Sequence, residues 1–76
     1  MKKQKIHEPY ETFKRTLAIM GLHYEDVAKA IGSTAVAVQL KVEGYSDFYI
    51  SEQRAISEQL GIGADIFFVD LRKSAA

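Results

Sequence analysis

Few side chains in this chain have a type and spacing suited to catalysis. His7 and His23 are the only histidines in 76 residues, cysteine is absent, and neither histidine has a second one four residues away to share a metal ion. Gly61 and Gly63 lack the lysine and the third glycine of a phosphate-binding loop. No nucleophile or pair of carboxylates converges by spacing. We therefore expect no enzyme activity, metal site, cofactor or small-molecule substrate.

Recognition of a macromolecule is better supported, by a set of residues in the middle of the chain. Spacing of three and four residues puts the set on the outward face of one helix: Ala35, Val36, Gln39, Leu40 and Glu43. Gln39 can pair with adenine through two hydrogen bonds, and Ala35 or Val36 can touch a thymine methyl group. Against DNA, the set has no arginine for guanine, Glu43 has the wrong charge to face phosphates, and Leu40 is apolar.

Two functions remain open for this face. One is a weak reader of A·T-rich DNA. The other is a surface for the apolar groove of another protein, where burying each side chain contributes roughly 1.5–3 kcal/mol before ordering costs. Coverage of the face by the N-terminal arm or by the protein's own dimer is the structural alternative.

Apolar periodicity and glycine stops predict an all-α domain that positions this face. Five short helices are expected, over residues 10–20, 24–31, 35–43, 50–60 and 63–69. Thr34 has the side chain of an N-cap for the third helix, and Met20 is expected on the inner face of the first. The predicted core consists of Phe13, Leu17, Val27, Ile31, Val38, Val42, Ile56, Leu60, Ile66 and Phe67, with Phe48 as a further buried aromatic candidate.

Composition and charge limit the remaining possibilities. Ten basic and ten acidic residues leave no global positive field, so any nucleic-acid footprint must be local. No apolar run approaches the ~20 residues that span a bilayer, and the basic N-terminus lacks an apolar signal core. A chain without cysteine fits the reducing cytoplasm, which is the expected location. We expect a flexible basic arm (1–8), a helical domain (9–69) and a polar tail (70–76).

The chain resembles a known family through a set of residues spread over most of its length. The set comprises Val27-Ala28, Ile31-Gly32, Val38, Lys41, Gly44, Ser46-Asp47-Phe48, Glu52, Leu60 and Ile66-Phe67-Phe68. It resembles the lambda-repressor-like, Cro-type helix-turn-helix regulators of phages and prophages, over roughly residues 10 to 68. The resemblance implies that Ala28 lies where helices 2 and 3 approach closely, that Gly32 makes the turn, and that Val38 and Val42 pack inward.

The same resemblance implies contacts to the DNA backbone. It puts the start of helix 2 and the end of helix 3 near phosphates, which makes candidates of Tyr24, Thr34, Lys41, Tyr45 and Ser46. Two of them have a structural alternative: Tyr24 as a surface tyrosine, and Lys41 as a solvated lysine over the C-terminus of its helix. The arm lysines Lys2, Lys3 and Lys5 either strengthen DNA binding by electrostatic attraction or belong to a disordered N-terminal segment.

The end of the chain carries more apolar residues than a short last helix can bury. Phe68, Val69 and Leu71 are therefore expected to form an association surface, and a homodimer would suit a two-fold operator. The alternative is that the tail folds back on its own domain. Overall, the sequence predicts a small phage-type transcriptional regulator that binds double-stranded DNA, or else an antirepressor that uses the same helix to bind a repressor protein.

Overall fold

Four α-helices build the part of the chain described by this computed structural model, which is residues 4–63 and 65–67. They are α1 (Glu11–Met20), α2 (Tyr24–Ile31), α3 (Ala35–Glu43) and α4 (Ile50–Leu60), and no strand occurs among the described residues. The all-α prediction is confirmed, and the four bounds follow the predicted periodicity. No helix in these residues has the length and apolar character needed to cross a bilayer.

The predicted count of five helices is wrong for the described residues. Of the segment 63–69, only Gly63 and residues 65–67 are described. The Ile66 amide donates to the Gly63 carbonyl at 3.1 Å, and Ile66 and Phe67 have helical backbone. These few described residues do not make up a fifth helix.

Glycine ends all four helices and allows the short connections between them. Gly32 has a φ of 67° and turns the chain from α2 into α3 within three residues. At the other end of α3, Gly44 has a φ of 110°, and its missing side chain leaves room for the N-terminal segment. A β-carbon at this position would lie 2.1 Å from the carbonyl oxygen of His7.

One hydrophobic core joins the helices, with α2 packed against both α3 and α4. Its buried members are Tyr10, Phe13, Leu17, Val27, Ala28, Val38, Val42, Phe48, Ile56, Ile62 and Phe67. Three residues predicted to be buried, Ile31, Leu60 and Ile66, pack against this core but stay half-buried at its edge. Met20 was expected to face inward and is instead 45% exposed, because it lies on the last turn of α1.

Four aromatic rings fill the centre of the core. Phe67 contacts Tyr10, Phe13 and Phe48 with ring centroids 5.4, 5.0 and 5.2 Å apart. These tilted and edge-on arrangements are favourable beyond the area they bury. The short turn that carries Phe67 is therefore held to the domain by its aromatic side chain, and Phe48 is confirmed as a buried aromatic residue.

The N-terminal segment just before α1 is attached to the end of α3. The amide of Ile6 donates to the carbonyl of Gly44 at 2.7 Å, and the amide of Tyr10 donates to the carbonyl of Val42 at 2.9 Å. The predicted limits of the arm and of the tail stay predictions, since residues 1–3 and 68–76 lie outside the described residues.

Candidate recognition surface on α3

The two sides of α3 differ sharply in burial. Val38 and Val42 are completely buried, whereas Val36 is 67% exposed and Gln39 is also exposed. The other three residues predicted for the outward face, Ala35, Leu40 and Glu43, are half-buried. The exposed part of α3 is therefore narrower than the sequence suggested, and it is centred on Val36 and Gln39.

Gln39 has the one uncommitted polar side chain on this exposed part of α3. Among the described residues, none makes a hydrogen bond with its amide group. The amide therefore keeps two donors and an acceptor for an external partner. At the start of α3, the Thr34 hydroxyl accepts the amide of Ala37 at 3.1 Å, which confirms the predicted N-cap. No residue in the described part of the chain accepts the proton of this hydroxyl, so it can donate to a partner.

Lys41 is held inside the protein rather than presented to a partner. Its ammonium lies 2.7 and 2.8 Å from the two carboxylate oxygens of Glu52, and the side chains are only 13% and 14% exposed. The rings of Phe48 and Tyr49 lie 5.7 and 5.2 Å from the same ammonium. Glu52 also accepts the amide of Tyr49 at 2.9 Å, at the start of α4. This arrangement favours a structural role for Lys41, linking the end of α3 to α4.

Glu43 also has its charge matched within the protein. Lys14 of α1 donates to Glu43 at 3.2 Å and lies 3.9 Å from Glu11. The hydrogen bond to Glu43 is the main reason why the pKa of Lys14 is raised. The expected repulsion between Glu43 and phosphates is therefore reduced by a cation beside it, although the same pairing occupies Lys14.

The remaining phosphate candidates lie at two separate places around α3. Tyr24 begins α2, is half-buried against the core, and has a pKa raised mainly by burial. It lines an open groove of about 460 Å³ together with Lys14 and residues at the end of α1. Tyr45 and Ser46 follow α3, and the ammonium of Lys5 lies 5.7 Å from the centre of the Tyr45 ring.

Lys5 is the cation that the structure leaves available near the end of α3. It has no carboxylate partner among residues 4–63 and 65–67, in contrast to Lys14 and Lys41. The sequence grouped Lys5 only with the other arm lysines. The predicted association surface of Phe68, Val69 and Leu71 lies outside the described residues.

Three residues around this surface have roles that the sequence interpretation missed. The buried Tyr10 donates its hydroxyl to Asp47 at 2.5 Å, and His7 contacts the backbone of the α3–α4 connection. Burial and the hydrogen bond to Asp47 raise the pKa of Tyr10. The only sequence signal for these contacts was the Ser46-Asp47-Phe48 string.

Comparisons with known proteins identify no relative of this chain. No protein-family model matches it, and neither the curated proteins nor the solved structures contain a significant match. The functional interpretation therefore depends on the chain's own residues and geometry.

Proposed function

We propose that this protein is a small transcriptional regulator of the phage or prophage type that binds double-stranded DNA through α3. The observation that carries the proposal is Gln39, an exposed amide without a partner among the described residues, on a helix whose opposite side is buried through Val38 and Val42. A helix that is packed against the core on one side and exposes such an amide on the other is suited to hydrogen-bond the edge of a base.

The path from α2 to α3 supports this proposal. α2 packs against α3, and the two are joined by a short turn at Gly32, as in a helix-turn-helix. An α-helix with its side chains is about 10–12 Å in diameter, so α3 can enter a major groove about 12 Å wide. In this pose Gln39 pairs with the N6 and N7 edge of adenine, and Val36 contacts the methyl group of a neighbouring thymine.

Phosphate contacts in this proposal come from both ends of α3. At the N-terminal end, the Thr34 hydroxyl donates to a phosphate. At the C-terminal end, the ammonium of Lys5 and the hydroxyl of Tyr45 contact a second phosphate. Because Lys14 and Lys41 are already paired with carboxylates, Lys5 is the cation near the end of α3, among the described residues, that can displace counterions from DNA. The proposed interaction therefore depends weakly on salt for a DNA-binding protein and relies on fit to the groove.

Selection of bound duplexes from a random-sequence library, followed by affinity measurements on the selected site, tests this function. Gln39→Ala should reduce discrimination between the selected site and a variant with one A·T pair changed by roughly 1–3 kcal/mol. Gln53→Ala on α4 is the matched control and should leave discrimination unchanged. Failure to enrich any sequence, or equal loss in both variants, would count against base reading by α3.

A protein-binding function is the second candidate, and the exposure of Val36 favours it. Leu40, one turn along from Val36, is half-buried but is not among the residues packed on the core. Together they offer apolar surface that a repressor protein could cover, as an antirepressor requires. Leu40→Asp should then abolish capture of a phage-type repressor, whereas Ile19→Asp, at an exposed apolar position on α1, should not. Unchanged capture by Leu40→Asp would eliminate this interface.

A further inference from the structure

His7 has an unusual position for a residue in a predicted flexible arm. Its side chain is only 6% exposed, and its ring stacks on Tyr10 with centroids 4.4 Å apart. The backbone is attached as well, since the amides of Ile6 and His7 both donate to the carbonyl of Gly44. His7 therefore lies at the centre of the contact between the N-terminal segment and the end of α3.

Both ring nitrogens of His7 face carbonyl oxygens. Nδ1 lies 2.6 Å from the carbonyl oxygen of Glu8, and Nε2 lies 2.7 Å from that of Ser46. A carbonyl oxygen only accepts hydrogen bonds, so each nitrogen must carry a proton to make a favourable contact. Neutral imidazole has one N–H, and the lone pair on its other nitrogen would point at an oxygen. The imidazolium form alone satisfies both contacts.

The charges around the ring agree with that form. Asp47, from the α3–α4 connection, has a carboxylate oxygen 3.6 Å from Nε2. The Tyr10 hydroxyl donates to the same oxygen and stays neutral, because burial and Asp47 raise its pKa. From its own segment, Glu8 contributes a carbonyl to the ring, and the ammonium of Lys5 is directed to the Tyr45 ring. The charged group in contact with the His7 ring is therefore the negative carboxylate of Asp47.

We propose that His7 is a protonation-dependent latch that holds the N-terminal segment against the α3–α4 connection. Protonated His7 bridges Glu8 and Ser46 and attracts Asp47. Loss of one ring proton leaves a nitrogen lone pair against a carbonyl oxygen, and the segment detaches. Docking is therefore favoured at low pH, where both ring nitrogens carry a proton, and is lost as the pH rises.

The latch has a consequence for the surface around α3. While docked, the segment keeps Lys5 beside Tyr45; once released, it takes this cation away from the end of α3 and uncovers Gly44 and Ser46. The latch is a property of the free protein and does not depend on the proposed DNA or repressor binding. Its test therefore needs neither partner.

NMR spectroscopy of the full chain between pH 5.5 and 8 tests the latch. Ring nitrogen shifts of His7 report its protonation, and hydrogen exchange of the Ile6 amide, corrected for the intrinsic rate at each pH, reports docking. In the wild type, protection of Ile6 should fall about tenfold across this range, as expected for loss of a charge-assisted hydrogen bond. Protection of the Ile56 amide in α4 serves as the internal reference for global stability.

Two variants separate the latch from general effects of pH. His7→Gln cannot titrate, so its Ile6 protection should be the same at both ends of the range, whether the segment stays docked or not. His23→Gln removes the other histidine, which is exposed, and should retain the wild-type pH dependence. The proposal is overturned if wild-type Ile6 protection does not change with pH, if His7→Gln retains the change, or if the ring is neutral while Ile6 is fully protected.

Discussion

The ion pair between Lys41 and Glu52 should contribute measurably to folding, although the family resemblance placed Lys41 on DNA. The ammonium contacts both carboxylate oxygens, and the side chains are 13% and 14% exposed. Exposed pairs contribute about 0.2–1 kcal/mol, and breaking a fully buried pair costs about 3–5 kcal/mol. This pair lies between those limits. We expect Lys41→Met to lower the free energy of unfolding by about 2 kcal/mol, because Glu52 is left without its cation.

A double-mutant cycle in urea measures the interaction itself. Glu52→Gln keeps an oxygen for the Tyr49 amide and removes the charge, so the coupling energy with Lys41→Met should be about 1–2 kcal/mol. For a domain of this size, a loss of 2 kcal/mol lowers the melting temperature by about 10 °C. A coupling energy below about 0.3 kcal/mol, with additive single variants, would refute the structural role and return Lys41 to the list of available cations.

Three further changes test the core and its N-terminal attachment. The raised pKa of Tyr10 means that this side chain ionises in the unfolded state before it ionises in the folded state, so the wild type loses stability above about pH 10. Tyr10→Phe should make this loss of stability with pH smaller. Equal slopes for the two proteins in alkaline urea titrations would contradict this. Ala28→Leu should destabilise the domain by about 1–3 kcal/mol through overpacking in the buried core, and an unchanged melting temperature would disprove it. Gly44→Ala should both strain the backbone and displace His7, so Ile6 should lose amide protection at every pH; retained protection would show that the segment docks elsewhere.

Local sequence signals were sufficient to predict the helices. Apolar residues at three- and four-residue spacing mark the buried sides, and the glycines that follow mark the ends, since each adopts a left-handed backbone. The cap at Thr34 depends on a residue only three positions away. The fifth predicted helix is the exception: the residues described near Phe67, 63 and 65–67, do not make up a helix of their own, and Phe67 packs on the aromatic core.

Contacts between distant residues could not be predicted in this way. Tyr10 and Asp47 are 37 positions apart, and His7 and Ser46 are 39 apart, so no periodicity connects them. The segment that carries His7, just before Pro9, is interpreted as an arm from the sequence, because its packing depends on the space above the distant Gly44. Lys41 shows the same difficulty at the candidate site, because its availability depends on Glu52, which belongs to another helix.

Titration of fluorescent duplexes with the wild-type protein at several salt concentrations tests the proposed function most directly. We expect binding to an A·T-rich duplex in preference to a G·C-rich one, with affinity that falls as salt rises. The slope should be shallow, corresponding to roughly one phosphate, since Lys5 is the unpaired cation identified near α3. Absence of binding at low salt and protein concentrations up to roughly 100 μM, the weak end of the usual range for non-specific DNA affinity, would contradict DNA recognition by α3.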